Sequence, residues 1–161
     1  RVVIPVHTAG RLVAHVARAI FEDGSERYHM PNRAAANASP ASALFGESML
    51  NDQLGVLTIA EGSFSMLALE RAGAPNPIAL LGSDWSVERA AVLTRRRWRG
   101  VIIATDPDLA GDRVARAIDA SFRIARVFRL RMDCSPDDAQ PDALRDQVSA
   151  AAAALDNVDV S

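Results

Sequence analysis

The chain has 161 residues, 49% of them apolar, with 20 acidic and 18 basic side chains and a formal net charge of −2. That length suits one domain, or a domain with a small flanking unit, and the near-neutral charge identifies no partner. Every basic residue is arginine and Cys134 is the single cysteine, which excludes lysine-dependent chemistry, a disulfide framework and a cysteine-rich zinc site within the chain.

Residues 1–6 and 11–20 flank His7-Thr8-Ala9-Gly10 and predict a β-hairpin, with Gly10 supplying the turn. The opening residues read as a strand rather than a secretory leader, and no stretch is long and uncharged enough to span a membrane. Because the chain opens on Arg1 rather than methionine, a piece of a longer, cytoplasmic protein is expected. Residues 21–40 are rich in turn formers and read as irregular loop. Residues 44–50 predict a short helix that exits at Asn51-Asp52.

From Val56 onward, short β-rich runs alternate with helical patterns. Strands are expected over 56–60, 78–81, 101–105 and 126–132, the last at a sheet edge. Helices are expected over about 64–72, 86–97, 109–121 and 142–155. Phe64, Leu67, Leu69 and Ala72 form the apolar face of the first, and Ser86 or Asp84 caps the second. A β-α-β-α-β-α-β order implies a parallel sheet with right-handed crossovers. The expected divisions are 1–54, 55–145 and a C-terminal helix and tail at 146–161.

Two strands end on acids. Glu61-Gly62 closes the first, and Asp106-Pro107-Asp108-Leu109-Ala110-Gly111-Asp112 closes the third. Strand C-termini of an open parallel sheet share one edge, where ligands bind, so Glu61, Asp106 and Asp108 are expected to converge. Gathered carboxylates suit a hard divalent cation such as magnesium. An aspartate at a strand end is also an ordinary helix cap. Gly62 and Gly111 would let a backbone or phosphate approach closely, beside helix amides that favour anions. Asp112 suits the helix dipole, and Arg113 and Arg116 are nearby bases that could face phosphate. Arg95-Arg96-Arg97-Trp98-Arg99 is the densest basic patch, but it falls at the opposite sheet edge and reads as a helix end. His7, His15 and His29 lack metal-binding spacing.

The segments Glu61-Gly62-Ser63-Phe64-Ser65-Met66-Leu67-Ala68-Leu69, Leu80-Leu81-Gly82-Ser83 and Asp106-Pro107-Asp108-Leu109-Ala110-Gly111 resemble the Toprim domain of bacterial and phage DnaG-type primases. Upstream, Arg1-Val2-Val3-Ile4-Pro5-Val6-His7 through Gly10-Arg11-Leu12-Val13 is similar to the hairpin opening that family's catalytic core. Arg27-Tyr28 before Met30-Pro31-Asn32 resembles its Lys-Tyr-Leu-Asn-Ser-Pro stretch, with arginine replacing lysine. The resemblance runs from residue 1 to about 145. It implies an α/β, Toprim-like (Rossmann-like) fold: a parallel four-stranded sheet flanked by helices, after a small α+β subdomain with a β-hairpin.

For function, the resemblance implies template-directed synthesis of RNA primers on single-stranded DNA, by metal-dependent nucleotidyl transfer from nucleoside triphosphates. Glu61, Asp106 and Asp108 would be catalytic, and with Asp137 would hold Mg2+ or Mn2+. Gly62, Gly111 and Arg113 would face the nucleotide phosphates, while Arg11, Arg27 and Tyr28 would contact nucleic acid. A replicative helicase is a further expected partner, with the nucleoid or a phage-infected host cytoplasm as the setting. The family carries an acid four positions after the glutamate, where this chain has Ser65. It also carries an Asp-Pro-Asp segment after the fourth strand. Ser135-Pro136-Asp137-Asp138 is the preferred match here, with Gln140-Pro141-Asp142 the other. Two alternatives stand beside the primase reading: a nuclease or topoisomerase-like Toprim enzyme, and a non-catalytic Toprim module that binds DNA or organises a replication complex.

Overall fold

The computed structural model describes residues 1–8, 11–20, 28–29, 43–82 and 84–156. Strands β1 (Val2–Thr8), β2 (Arg11–Arg18) and β3 (Tyr28–His29) form an antiparallel sheet in that order. The expected hairpin is present, although its Gly10 turn lies outside the described residues. Phe45 then pairs in isolation with Ala79, and a 3-10 turn spans Glu47–Met49. This replaces the helix expected over 44–50. Leu44 is fully buried against the main sheet, and the backbone of Phe45 is bonded to Ala79 in both directions at 2.9 Å, so a continuous helix cannot form there.

The main sheet has the order β5-β4-β6-β7, all parallel, with β4 at Val56–Ala60, β5 at Pro77–Ala79, β6 at Gly100–Ala104 and β7 at Arg126–Arg129. Every residue of β4 and β6 is buried, as their mainly apolar runs suit central strands covered on both faces, and the one polar side chain of β4, Thr58, donates to the Pro75 carbonyl at 2.7 Å. β7 alternates exposed and half-buried positions at the sheet edge, and it ends three residues before the expected 132.

Helices α1 (Ser63–Arg71), α2 (Val87–Thr94), α3 (Leu109–Ser121) and α4 (Pro141–Asp156) cover the sheet. The period-2 side-chain alternation divides the core. Val56, Ala60 and Ile102 pack with Met66 and Leu69 of α1 and with Leu144, Val148 and Ala151 of α4. On the other face Leu57, Ile59, Val101 and Ile103 pack with Leu93 of α2 and Val114 and Ile118 of α3. Each fully buried Leu or Ile contributes about 1.5–3 kcal/mol. The division expected at 145/146 therefore falls inside one continuous helix that closes the core. In α1 the buried face carries Ser63, Ser65, Met66 and Leu69; of the expected face, Leu69 and Ala72 are buried while Phe64 and Leu67 are only half-buried. Ser86 caps α2 by accepting from the amide of Arg89 at 3.2 Å.

The two sheets meet around Leu81. It is buried with Val6, Ala14 and Val16, so the hairpin packs beside the C-terminal edge of the parallel sheet.

Candidate active site

Parallel pairing sets Ala60 opposite Ala104, so the residues that follow the two strands, Glu61 and Thr105-Asp106, emerge together. Glu61 is 8% exposed, and its Oε1 accepts a hydrogen bond from the backbone amide of Asp106 at 3.0 Å. Its main-chain carbonyl accepts from the amides of Leu81 at 2.9 Å and Gly82 at 3.3 Å. Leu81 adopts φ 60°, a left-handed conformation that turns the chain after β5 back onto the site. Asp108 is exposed and caps α3, its Oδ1 accepting from the amide of Gly111 at 2.7 Å. Asp108 is thus the helix cap, and its charge also acts on Glu61.

Burial is the main cause that raises the pKa of Glu61, and the negative charges of Asp106 and Asp108 push the same way. The Asp106 amide and the Arg129 guanidinium oppose the rise. Arg129 was not singled out in the sequence. It ends β7, its Nη1 lies 2.6 Å from Asp112 Oδ1, and its Nη2 donates to Thr105 Oγ1 at 3.3 Å. An arginine at the C-terminal end of a strand beside β6 was the available signal. Asp112 is therefore ion-paired as well as suited to the α3 dipole.

The two site glycines differ. A Cβ on Gly111 would fall 2.1 Å from the Asp106 carbonyl oxygen and 2.8 Å from Glu61 Oε1. Only glycine lets the first turn of α3 lie against these two acids. A Cβ on Gly62 would meet only Ser65 Oγ, at 3.7 Å, so packing against protein does not demand glycine there.

A cavity of about 220 Å³ opens beside the acids, lined by Val16, Glu61, Gly62, Ser63, Leu81, Gly82 and Asp106. Helix α1 begins at its wall without a side-chain cap, and the buried Ser63 hydroxyl has no hydrogen-bond partner among the described residues. The positive end of a helix thus borders a cavity that carboxylates also line.

Among the described residues, no three His, Cys, Asp or Glu side chains are gathered as a preformed cage for a metal ion. The donor chemistry of Glu61, Asp106 and Asp108 nevertheless fits a divalent cation. All three offer hard carboxylate oxygens, and the two aspartates disfavour the charge on Glu61, a repulsion that a cation relieves.

Asp137 is engaged elsewhere. Its Oδ2 accepts from Arg18 Nη1 at 2.9 Å and its Oδ1 from Ser65 Oγ at 2.7 Å. Of the neighbouring acids, Asp138 accepts from Ser135 Oγ at 3.1 Å and Asp142 pairs with Arg145 at 2.7 Å. Arg113 is exposed on α3, and Arg11 is exposed at the turn end of β2. The backbone of Tyr28 pairs with Arg18, while Arg27 and Ser83 lie outside the described residues. In the basic patch, Trp98 is buried and its indole N–H donates to the Leu93 carbonyl at 3.0 Å, while Arg96 pairs with Asp52 at 2.7 Å and Arg99 with Asp156 at 2.5 Å. These are structural partnerships at the opposite sheet edge.

Residues 55–131 match the family model of the Toprim domain. Over 116 residues the chain is 30% identical to a DNA primase of Thermotoga maritima, covering 70% of this chain and 20% of that protein. Among solved structures it is similar to the zinc-binding and RNA polymerase domains of the Aquifex aeolicus primase. That match has a TM-score of 0.69 at 25% identity and covers 93% of this chain and 40% of the other. It is also similar in fold to a DnaG primase catalytic domain bound to single-stranded DNA, with a TM-score of 0.67 at 18% identity, covering 95% of this chain and 53% of the other. The chain thus spans about a fifth of the length of the curated relative it matches.

Proposed function

From the match of residues 55–131 to the Toprim domain and the likeness of the fold to primase catalytic domains, we propose that the chain is the nucleotidyl-transfer core of a DNA primase. The observation that carries this reading is the meeting of Glu61, Asp106 and Asp108 at the C-terminal edge of the parallel sheet, beside an open cavity.

The reaction joins a primer 3′-hydroxyl to the α-phosphorus of a nucleoside triphosphate, breaks the α–β phosphoanhydride bond and releases pyrophosphate. Asp106 and Asp108 would hold the divalent cation, Mg2+ or Mn2+, with Glu61 beside them. When bound, such a cation supplies positive charge against the triphosphate and eases deprotonation of the attacking hydroxyl. Glu61, buried and with its proton affinity raised, is suited to hold the hydroxyl proton. Its bond to the Asp106 amide fixes that carboxylate in place. The uncapped start of α1 and Gly62 form an electropositive wall for phosphate, and Arg113 on α3 is a base on the helix that Asp108 caps. A single-stranded DNA template, contacted by Arg11, Arg27 and Tyr28, a cytoplasmic replisome and a helicase partner complete the proposal. The fold shared with a DNA-bound primase domain supports the template assignment.

The test is primer synthesis on single-stranded DNA by the full-length protein carrying Asp106→Asn or Asp108→Asn. Both variants should lose metal-dependent synthesis while keeping the fold. Unchanged activity in both would refute the assignment. The absence of a preformed three-acid cage among the described residues favours a second reading, a non-catalytic Toprim module. DNA binding by wild-type protein without any metal-dependent synthesis would support that reading instead.

A further inference from the structure

Asp137 joins three separate parts of the fold. Arg18 comes from β2, Ser65 from the first turn of α1, and Asp137 itself from the loop between β7 and α4. The guanidinium of Arg18 also lies over the Phe64 ring, 4.3 Å from its centroid. The Asp137 side chain is 9% exposed and that of Arg18 21%.

We propose that this clasp withdraws Asp137 from metal binding: the Arg18 guanidinium is its cation, and the centre at Glu61, Asp106 and Asp108 takes a single divalent ion. The inference rests on the reading above only in expecting a cation at those three acids. A metal ligand must offer lone pairs to the ion. Each oxygen keeps a second lone pair, but Oδ2 already receives a charge-assisted bond from arginine and Oδ1 the Ser65 hydroxyl, so the positive charge that an ion would bring is already in place. An ion that displaced Arg18 would strand a half-buried guanidinium against an aromatic face, and removing one partner of a buried pair leaves an uncompensated charge. Ser65, with its proton given to Asp137, would offer an ion only a neutral hydroxyl oxygen in place of a carboxylate.

Asp137 is then a positioning residue. Val16 of β2 lines one side of the cavity beside Glu61 and Asp106, and Gly62 and Ser63 at the start of α1 line another. By tying Arg18, two residues beyond Val16, to Ser65, two residues beyond Ser63, the clasp sets the distance between those walls. Loosening it should weaken nucleotide binding more than it slows chemistry.

The test is titration of the full-length protein with Mn2+, followed by electron paramagnetic resonance and calorimetry. One ion should bind per chain, with the spectrum of a magnetically isolated ion. Asp106→Asn should abolish that binding. Asp137→Asn should leave stoichiometry and affinity unchanged, and in primer synthesis it should raise the nucleotide KM severalfold with kcat preserved. Ser65→Ala, which keeps the Arg18–Asp137 pair, should also retain one ion and serves if Asp137→Asn does not fold. A second ion in the wild type, spin-coupled to the first and lost in Asp137→Asn, would overturn the inference and leave metal-dependent transfer standing. No bound ion would overturn both. One bound ion without nucleotidyl transfer would support the single-ion centre and overturn only the primase reading.

Discussion

The carboxylate of Glu61 accepts the backbone amide of Asp106 at 3.0 Å across 45 residues of sequence. One buried acid is thereby fixed to the strand end that carries the other two, and the first turn of α3 must fit against both.

That fit makes Gly111 sensitive in the direction opposite to ordinary helix propensity. Alanine in place of an exposed helical glycine gains up to about 1 kcal/mol. At Gly111 the new methyl would meet the Asp106 carbonyl oxygen at 2.1 Å. Gly111→Ala should instead cost roughly 1–3 kcal/mol, as overpacking does, measured by urea unfolding. Gly62→Ala, with its nearest contact at 3.7 Å, should stay within about 0.5 kcal/mol of wild type. A drop in nucleotide affinity for that stable variant would show that a ligand, not the protein, needs the glycine.

Asp108 separates capping from chemistry. Asparagine caps a helix as well as aspartate does, whereas alanine costs about 1 kcal/mol. Asp108→Asn should therefore keep the melting temperature, and Asp108→Ala should lower it. Both should reduce primer synthesis by roughly 100-fold or more, the scale of losing one charge-stabilising group. Equal activity in the asparagine variant and wild type would confine Asp108 to its cap.

Glu61 should give the metal-free protein an unusual pH response. Burial raises its folded pKa above the unfolded value. Its contribution is then fully present below the unfolded pKa and is lost as pH rises through the folded one, because the unfolded chain sheds that proton first. In chelator-treated protein, Glu61→Gln should flatten the fall in melting temperature over that window. An unchanged slope would contradict the burial argument.

Arg129 opposes the rise in the Glu61 pKa. Arg129→Gln should move the acidic limb of the pH–rate profile upward. Because the Arg129–Asp112 pair is partly exposed, at 24% and 43%, its loss should cost no more than about 1 kcal/mol. A profile that does not shift would remove Arg129 from the site's electrostatics.

The sheet was legible because β4 and β6 are short, mainly apolar runs, the pattern of strands buried on both faces. The acids were legible because they sit where those runs stop. Helix α3 was also legible at both ends, since Asp108 announces its cap and the apolar spacing persists to Ser121. The region around Leu44 and Phe45 misled because its apolar spacing is set by long-range pairing with Ala79, which no local pattern encodes. Arg18 and Asp137 lie 119 residues apart, and the sequence offered no reason to pair them. Ser65 looked like a missing acid; the fold makes it a hydrogen-bond donor to one.

The strand order also has a consequence for the newborn chain. β4 is made first of the four parallel strands, yet it lies between β5 and β6, and its β6 neighbour follows only after α2. On the ribosome, the Glu61 carboxylate must wait for the Asp106 amide until that residue has emerged. The cover over β6 comes later still, when Leu155 packs so closely that a Cβ on Gly100 would lie 2.8 Å from it. The acidic edge can thus close before α4 is made, and a chain stalled at that point would expose an apolar sheet face to chaperones.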